Sequence, residues 1–175
     1  LEGPYQRRSY LVGGLGKGGR GCYGLLVASR RREAQGAAYG DYQTLFSVDD
    51  IGVGSAEQAL ASIVLWEYPR PAMGRDDMDN DGDGLLDEAG ELDGQIGHIF
   101  GQVYAVNANS PKDTYRSVVI FGNGYNSNNG RAVLFVLDAA SGRLVRKIDT
   151  GAGQDNGLST PALIDVNLDR RVDYA

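Results

Sequence analysis

Twice in this chain a short apolar run leads into a Gly-x-Gly turn. Arg8-Ser9-Tyr10-Leu11-Val12 corresponds to Arg116-Ser117-Val118-Val119-Ile120, 108 positions further on, and Gly14-x-Gly16 then corresponds to Gly122-x-Gly124. Gly21, ahead of the next apolar run, corresponds to Gly130. A second correspondence, at an offset of 59, relates Gly101-Gln102-Val103-Tyr104-Ala105-Val106 to Thr160-Pro161-Ala162-Leu163-Ile164-Asp165. Four strand-like runs fit within that interval, and a four-stranded unit of about 40–60 residues is the size of a propeller blade. The repeats predict an all-β chain that is part of a β-propeller with four-stranded antiparallel blades. One blade would be complete, from about Gly101 to Asp149, with most of another before it and the start of one after it. A β-sandwich is the alternative.

The local pattern agrees. Strands are expected at Ser9 to Gly13, Tyr23 to Ala28, Ser62 to Tyr68, Gln102 to Val106, Ser117 to Phe121, Ala132 to Leu137, Leu144 to Asp149, Pro161 to Ile164 and Val172 to Ala175. They are short, rich in Val, Ile, Leu and Tyr, and bounded by Gly, Asn, Asp and Ser. Asn129-Gly130 and Ser141-Gly142 precede strands and supply positive φ at little cost. Residues 30–61 fit least well. They begin with Arg30-Arg31-Arg32, a solvated turn, and read as an irregular insertion with at most one short helix, capped by Ser55-x-x-Gln58.

Charge is unevenly placed. The formal net charge is −6, from 17 basic and 23 acidic residues. Nine of the acidic residues lie between Asp76 and Asp93 with no Lys or Arg among them, leaving 14 acidic against 17 basic elsewhere. A local acidic cluster points to a cation site. No run approaches the roughly 18 apolar residues of a membrane span, and the absence of a basic face argues against nucleic acid. One cysteine, Cys22, makes no internal disulfide framework and no metal cluster. With no Met at position 1 and a strand expected to begin at the last residues, the chain reads as a fragment of a longer protein.

The strongest motif is Asp79-Asn80-Asp81-Gly82-Asp83-Gly84-Leu85-Leu86-Asp87, within an insertion at 76–96. Calcium takes about six to eight hard oxygen ligands. In this register Asp79, Asp81 and Asp83 stand at positions 1, 3 and 5, Gly84 makes the sharp turn, Leu85 offers its carbonyl, and Asp87 at position 9 ligates directly or through water. Position 12 is Gly90, where a full EF-hand loop has a bidentate Glu, and no long helix pair flanks the loop. A second copy, Asp165-Val166-Asn167-Leu168-Asp169-Arg170-Arg171-Val172-Asp173, keeps the spacing of Asp165, Asn167, Asp169 and Asp173. It carries Arg170 where Gly is expected, which strains a positive φ, and two arginines oppose a cation. Whether it binds calcium or is an Asp/Asn-rich turn that has kept the loop shape stays open.

Other motifs read as structure. Gly14-x-Gly16-x-x-Gly19 satisfies a dinucleotide fingerprint, but a strand follows it where a helix is needed, so it is a glycine hairpin. His98, the only histidine, reads as a packed residue. With one His and one Cys the chain has almost no material for a Ser/His/Asp or Cys/His centre. Trp66 is expected to pack between blades.

Taken together, these segments resemble a known family. Leu11-Val-Gly-Gly-Leu-Gly-Lys-Gly-Gly-Arg-Gly-Cys-Tyr23 is similar to the glycine-rich hairpin of the C-terminal propeller in PilY/PilC-type proteins, the type IV pilus biogenesis factors and tip-associated adhesins. Val119-Ile-Phe-Gly-Asn-Gly-Tyr-Asn-Ser127, Leu137-Asp-Ala-Ala-Ser-Gly142, Ile148-Asp-Thr-Gly151 and Asn156-Gly-Leu-Ser-Thr-Pro161 follow in the family's order, and Asp165 to Tyr174 resembles its calcium loop. The RGD tripeptide of the family adhesin is absent. The resemblance implies a non-enzymatic, calcium-binding module at the pilus tip or outer membrane surface of a Gram-negative bacterium. Its ligands would be Asp165, Asn167, Asp169 and Asp173. Its partners would be pilus proteins, minor pilins among them, and a host or abiotic surface. Calcium occupancy would tune pilus extension against retraction, twitching motility and attachment. The competing expectations are an integrin-α-like FG-GAP adhesion propeller and a quinoprotein dehydrogenase. The latter usually shows many tryptophan docking motifs and a vicinal Cys pair.

Overall fold

The computed structural model describes residues 6–31, 38, 40, 43–44, 61, 63–69, 94–109, 117–152 and 154–175. Of the irregular insertion expected at 30–61, Arg30 and Arg31 end a strand and do not form the expected turn; most of the rest, its capping box and most of the acidic insertion at 76–96 fall outside these residues.

Two antiparallel four-stranded sheets make up the described fold. In the first, β1 (Gln6–Gly14) and β2 (Cys22–Arg31) form a hairpin across a single 3₁₀ turn at Gly16–Gly18. The other side of β2 is shared. Its C-terminal half pairs with β3 (Gln43–Thr44), and its N-terminal half pairs with β4 (Val64–Tyr68). The second sheet is a plain meander: β5 (Tyr104–Asn107), β6 (Ser117–Gly122), β7 (Val133–Asp138) and β8 (Leu144–Asp149), each hydrogen-bonded to the next. This is the four-stranded blade that the repeat predicts between Gly101 and Asp149.

The second sheet is covered on both faces, which is why β6 and β7 read as continuous apolar runs. Side chains alternate along a strand. Val119 and Phe121 of β6, with Val133, Phe135 and Leu137 of β7, face the first sheet in a cluster with Cys22, Trp66, Tyr68, Ile96 and Ile99. Val118, Ile120 and Leu134 face the other way, where Leu158, Leu163 and Val172 pack on them. Trp66 is the main bolt between sheets. It is 1% exposed, its Nε1–H donates to the Ala139 carbonyl at 2.9 Å, and its ring lies where a Cβ on Gly24 or Gly142 would be. The expectation that Trp66 packs between blades holds. Phe121 and Phe135 stack at 5.4 Å, and Tyr68 tilts onto Phe135 at 5.8 Å.

Two expected strands do not form. Pro161 to Ile164 and Val172 to Ala175 make only isolated bridges, Ile164 with Tyr174 and Val172 with Ala108. Leu163 and Val172 are used to cover the second sheet, and no further strand lies alongside this segment to complete a ladder among the described residues. The two-residue strand β3 has no sequence signature of its own; it exists through its pairing with β2.

Candidate functional site

The Asp165 loop forms at the end of the second sheet where β5 finishes and β6 starts. Asn107 pairs with Ser117 there, and the loop is hung from the same place. Val172 N donates to the Asn107 carbonyl at 2.8 Å, Asn109 N to the Val172 carbonyl at 3.3 Å, and the Asn109 side-chain amide to Asp173. The four candidate ligands are thus gathered into one turn. Asp165 accepts the backbone N–H groups of Asp169 (3.2 Å) and Arg170 (2.8 Å). Asn167 accepts from Asp169 N at 3.1 Å, Asp169 accepts from Arg171 N at 2.9 Å, and Asp173 accepts from Val166 N at 2.9 Å.

The donor chemistry of this loop, three carboxylates and an amide oxygen, suits a hard cation. Each oxygen that accepts one N–H keeps a second lone pair. The geometry is that of a turn whose carboxylates face backbone N–H groups. Among the described residues, no group of three or more His, Cys, Asp or Glu side chains is gathered closely enough to hold a metal ion. Arg170 takes the left-handed conformation that its position requires, φ +68, and Leu168 does the same at φ +58. For residues with a Cβ this costs about 1–2 kcal/mol each. The strain foreseen at Arg170 is therefore present, and the loop keeps its shape in spite of it. Asp79, Asp81, Asp83, Leu85 and Asp87 lie outside the described residues.

At the opposite end of the sheet is the residue that sequence reasoning missed. Asn123, between Gly122 and Gly124, is fully buried. Its side-chain amide donates to the carbonyls of Gln95 and Arg131, both at 2.7 Å, and its Oδ1 accepts from Val133 N (3.1 Å) and Leu158 N (2.9 Å). One side chain ties the segment entering the sheet, the β6–β7 hairpin and the segment leaving it. All four of its hydrogen-bonding positions are used. The signal available in the sequence was an Asn flanked by glycines within an apolar repeat.

His98 and Cys22 are both committed to structure. His98 Nδ1 lies 2.9 Å from the Gly16 carbonyl, which can only accept, and the ring tilts onto Tyr125 at 5.6 Å. Cys22 is buried, and burial pushes its thiol up, away from the reactive thiolate. Among the described residues no helix is long and apolar enough to cross a membrane.

The model of the PilY1 β-propeller domain matches residues 77–175. A type IV pilus biogenesis factor PilY1 homolog of Xylella fastidiosa is 33% identical over 99% of this chain, and a PilY1 of Pseudomonas aeruginosa is 29% identical over 94%. A further Pseudomonas aeruginosa PilY1 is 48% identical over 59 residues. The chain spans 9% and 10% of the length of the first two. The crystal structure of the Pseudomonas aeruginosa PilY1 C-terminal domain superposes with a TM-score of 0.55 at 25% identity, covering 95% of this chain and 23% of that one. The matched segment includes the complete second sheet, the Asn123 hairpin and the Asp165 loop, and on this ground the chain belongs to the PilY1 β-propeller domain family.

Proposed function

We propose that this chain is a non-enzymatic, calcium-binding propeller module of a type IV pilus assembly and tip-adhesion protein. It would act outside the cell, at the pilus tip or outer membrane surface, with minor pilins and a host or abiotic surface as partners. The observation that carries the reading is the match of the PilY1 propeller family across the second sheet and the loop hung from it. The commitment of the lone His and lone Cys to packing supports a role without catalysis.

Calcium would add to this in two places. At the Asp165 loop, Asp165, Asn167, Asp169 and Asp173 would supply hard oxygens from a turn already closed by Val166 N and Asn109. At the acidic insertion, Asp79, Asp81, Asp83, the Leu85 carbonyl and Asp87 would do so by spacing alone. Extracellular calcium modules bind at about 0.1–1 mM. The bound ion would stiffen surfaces that contact the pilus, and so shift the balance of extension and retraction that underlies twitching motility and attachment.

Calorimetric calcium titration of the chain, paired with protease resistance, tests this. Asp169→Ala and Asp81→Ala should each remove one class of site. Arg170→Gly should tighten the Asp165 site by relieving the left-handed arginine and removing a like charge. Equal binding by wild type, Asp81→Ala and Asp169→Ala would show that neither ligand set is right.

A further inference from the structure

We propose that the exposed ring pair of Phe100 and Tyr125, with Lys17 and Arg20 beside it, is a binding platform for an acidic saccharide. Phe100 is 57% exposed and Tyr125 56%, although both belong to the part of the chain where apolar side chains are otherwise packed inward. Their ring centroids lie 5.7 Å apart with planes 29° apart, and the His98 ring tilts onto Tyr125 at 5.6 Å, so the two exposed rings form one aromatic cluster. A rigid exposed aromatic face gains nothing from water and marks a contact surface.

The backbone holds this face in place. His98 and Tyr125 exchange backbone hydrogen bonds at 2.8 and 3.2 Å. A Cβ on Gly97 would overlap the Tyr125 carbonyl, and one on Gly124, at φ +74, would overlap the His98 carbonyl. Gly16 leaves just enough room for the edge of Phe100, whose Cε1 would be 3.4 Å from a Cβ there. A platform fixed in this way loses little freedom on binding.

The rim selects the ligand. Asn126, Asn128 and Asn129 are exposed on the loop that carries Tyr125, and Lys17 and Arg20 are exposed on the hairpin that abuts Phe100. Arg20 bonds the neutral Asn128 side chain, and neither cation forms an ion pair with a described residue. Leu15 is an aliphatic neighbour, partly exposed over Gly19, and among the described residues Asp155 is a carboxylate on this flank, beside Gly130. A pyranose offers a C–H face to the rings and hydroxyls to the amides, and a carboxylate on it would meet the two cations. Fully apolar partners would leave this rim unpaired.

The platform is separate from the Asp165 loop: it stands at the Gly122 end of the second sheet, and the Asp165 loop hangs from the Ser117 end. The test is therefore run with a chelator present. The chain is titrated calorimetrically with hyaluronate oligosaccharides (glucuronate-containing), with dextran (rings without charge) and with dextran sulfate (charge on a neutral backbone). Hyaluronate should bind tightest. Phe100→Ala and Tyr125→Ala should each weaken it about tenfold, Phe100→Trp should restore it, and Lys17→Ser with Arg20→Ser should weaken it and flatten its salt dependence. Thermal unfolding of each variant controls for the fold. Unchanged hyaluronate binding in Phe100→Ala overturns the proposal. So does dextran sulfate binding as tightly as hyaluronate and insensitive to both ring variants, or no saccharide binding at all. Calcium titration of the same samples reports separately on the proposed function.

Discussion

The β1–β2 and β6–β7 hairpins share a sequence signature and differ in what they hold together. Gly14 and Gly122 do the same work. A Cβ on Gly14 would press on the Ile99 carbonyl at 2.5 Å, and one on Gly122 would overlap the carbonyls of Leu158 and Ser159. Ile99 and Leu158 are themselves related by the offset of 59, so the two sheets meet their incoming segments in the same way. Gly16 and Gly124 both take positive φ. The residue between each pair of glycines differs. Leu15 is partly exposed, and Asn123 is the buried hub of four hydrogen bonds. At the neighbouring junction, His98 reaches the Gly16 carbonyl with its ring, where Gly157 lets its own backbone close directly on Gly124. A repeat can therefore preserve a backbone path while the polar satisfaction that stabilises it moves from one residue to another.

Exchanging the central residues should separate the two hairpins most strongly. Asn123→Leu strips partners from two carbonyls and two N–H groups; at about 1–3 kcal/mol for the buried Val133 N–H, and less for each of the three part-buried groups, it should destabilise the chain by about 3–5 kcal/mol. Leu15→Asn should change stability by less than about 0.5 kcal/mol, since that side chain is at the surface. Urea unfolding of both variants measures the difference, and similar midpoints would remove the distinction. The next test asks whether the shared glycines are equivalent. Gly122→Ala and Gly14→Ala should each cost about 1–3 kcal/mol, because backbone must shift to admit a Cβ, and a neutral Gly14→Ala would show that only the second hairpin is tightly packed.

His98→Ala should cost about 1 kcal/mol, the net value of one hydrogen bond. The loss should be read as a lower thermal midpoint with both sheets intact by circular dichroism. The smallest expected effect is electrostatic. Arg131, following Gly130, pairs with Asp149 at 2.6 Å, and the Gly151 N–H donates to the same carboxylate. That backbone hydrogen bond, then the Arg131 guanidinium, hold the Asp149 carboxyl below its ordinary value. A depressed carboxyl stabilises the fold above its unfolded pKa of about 4, and the contribution fades as pH falls through the lower folded value. Urea midpoints taken from about pH 5 down to pH 3 should fall slightly less in Asp149→Asn than in wild type. The first hairpin should add no such slope, since the position equivalent to Arg131 is the buried Cys22.

The shape of the Asp165 loop was legible in the chain. The spacing of Asp165, Asn167, Asp169 and Asp173 gave the loop, and the missing glycine at position 6 gave the strain now seen at Arg170. What could not be read was where each oxygen points, because the carboxylates are satisfied by N–H groups of their own turn. The role of Asn123 was hidden because its partners, Gln95, Arg131, Val133 and Leu158, are brought to it only by the fold. Phe100 and Tyr125 were hidden for a related reason. Their exposure depends on which glycines leave no room behind them.

The repeat, the strand and glycine-turn pattern, the four-stranded meander of β5 to β8 and the packing role of Trp66 can all be read from the order of residues. These follow from side-chain alternation and from the local cost of positive φ, which act over a few residues. Three features came into view with the folded chain: β4 shares β2 with β3, residues 161–175 cover the second sheet without extending a ladder, and Asn123 joins three segments. Those outcomes rest on contacts between residues far apart in the chain, and the free energy of such a contact is set by what the rest of the fold leaves buried and unpaired.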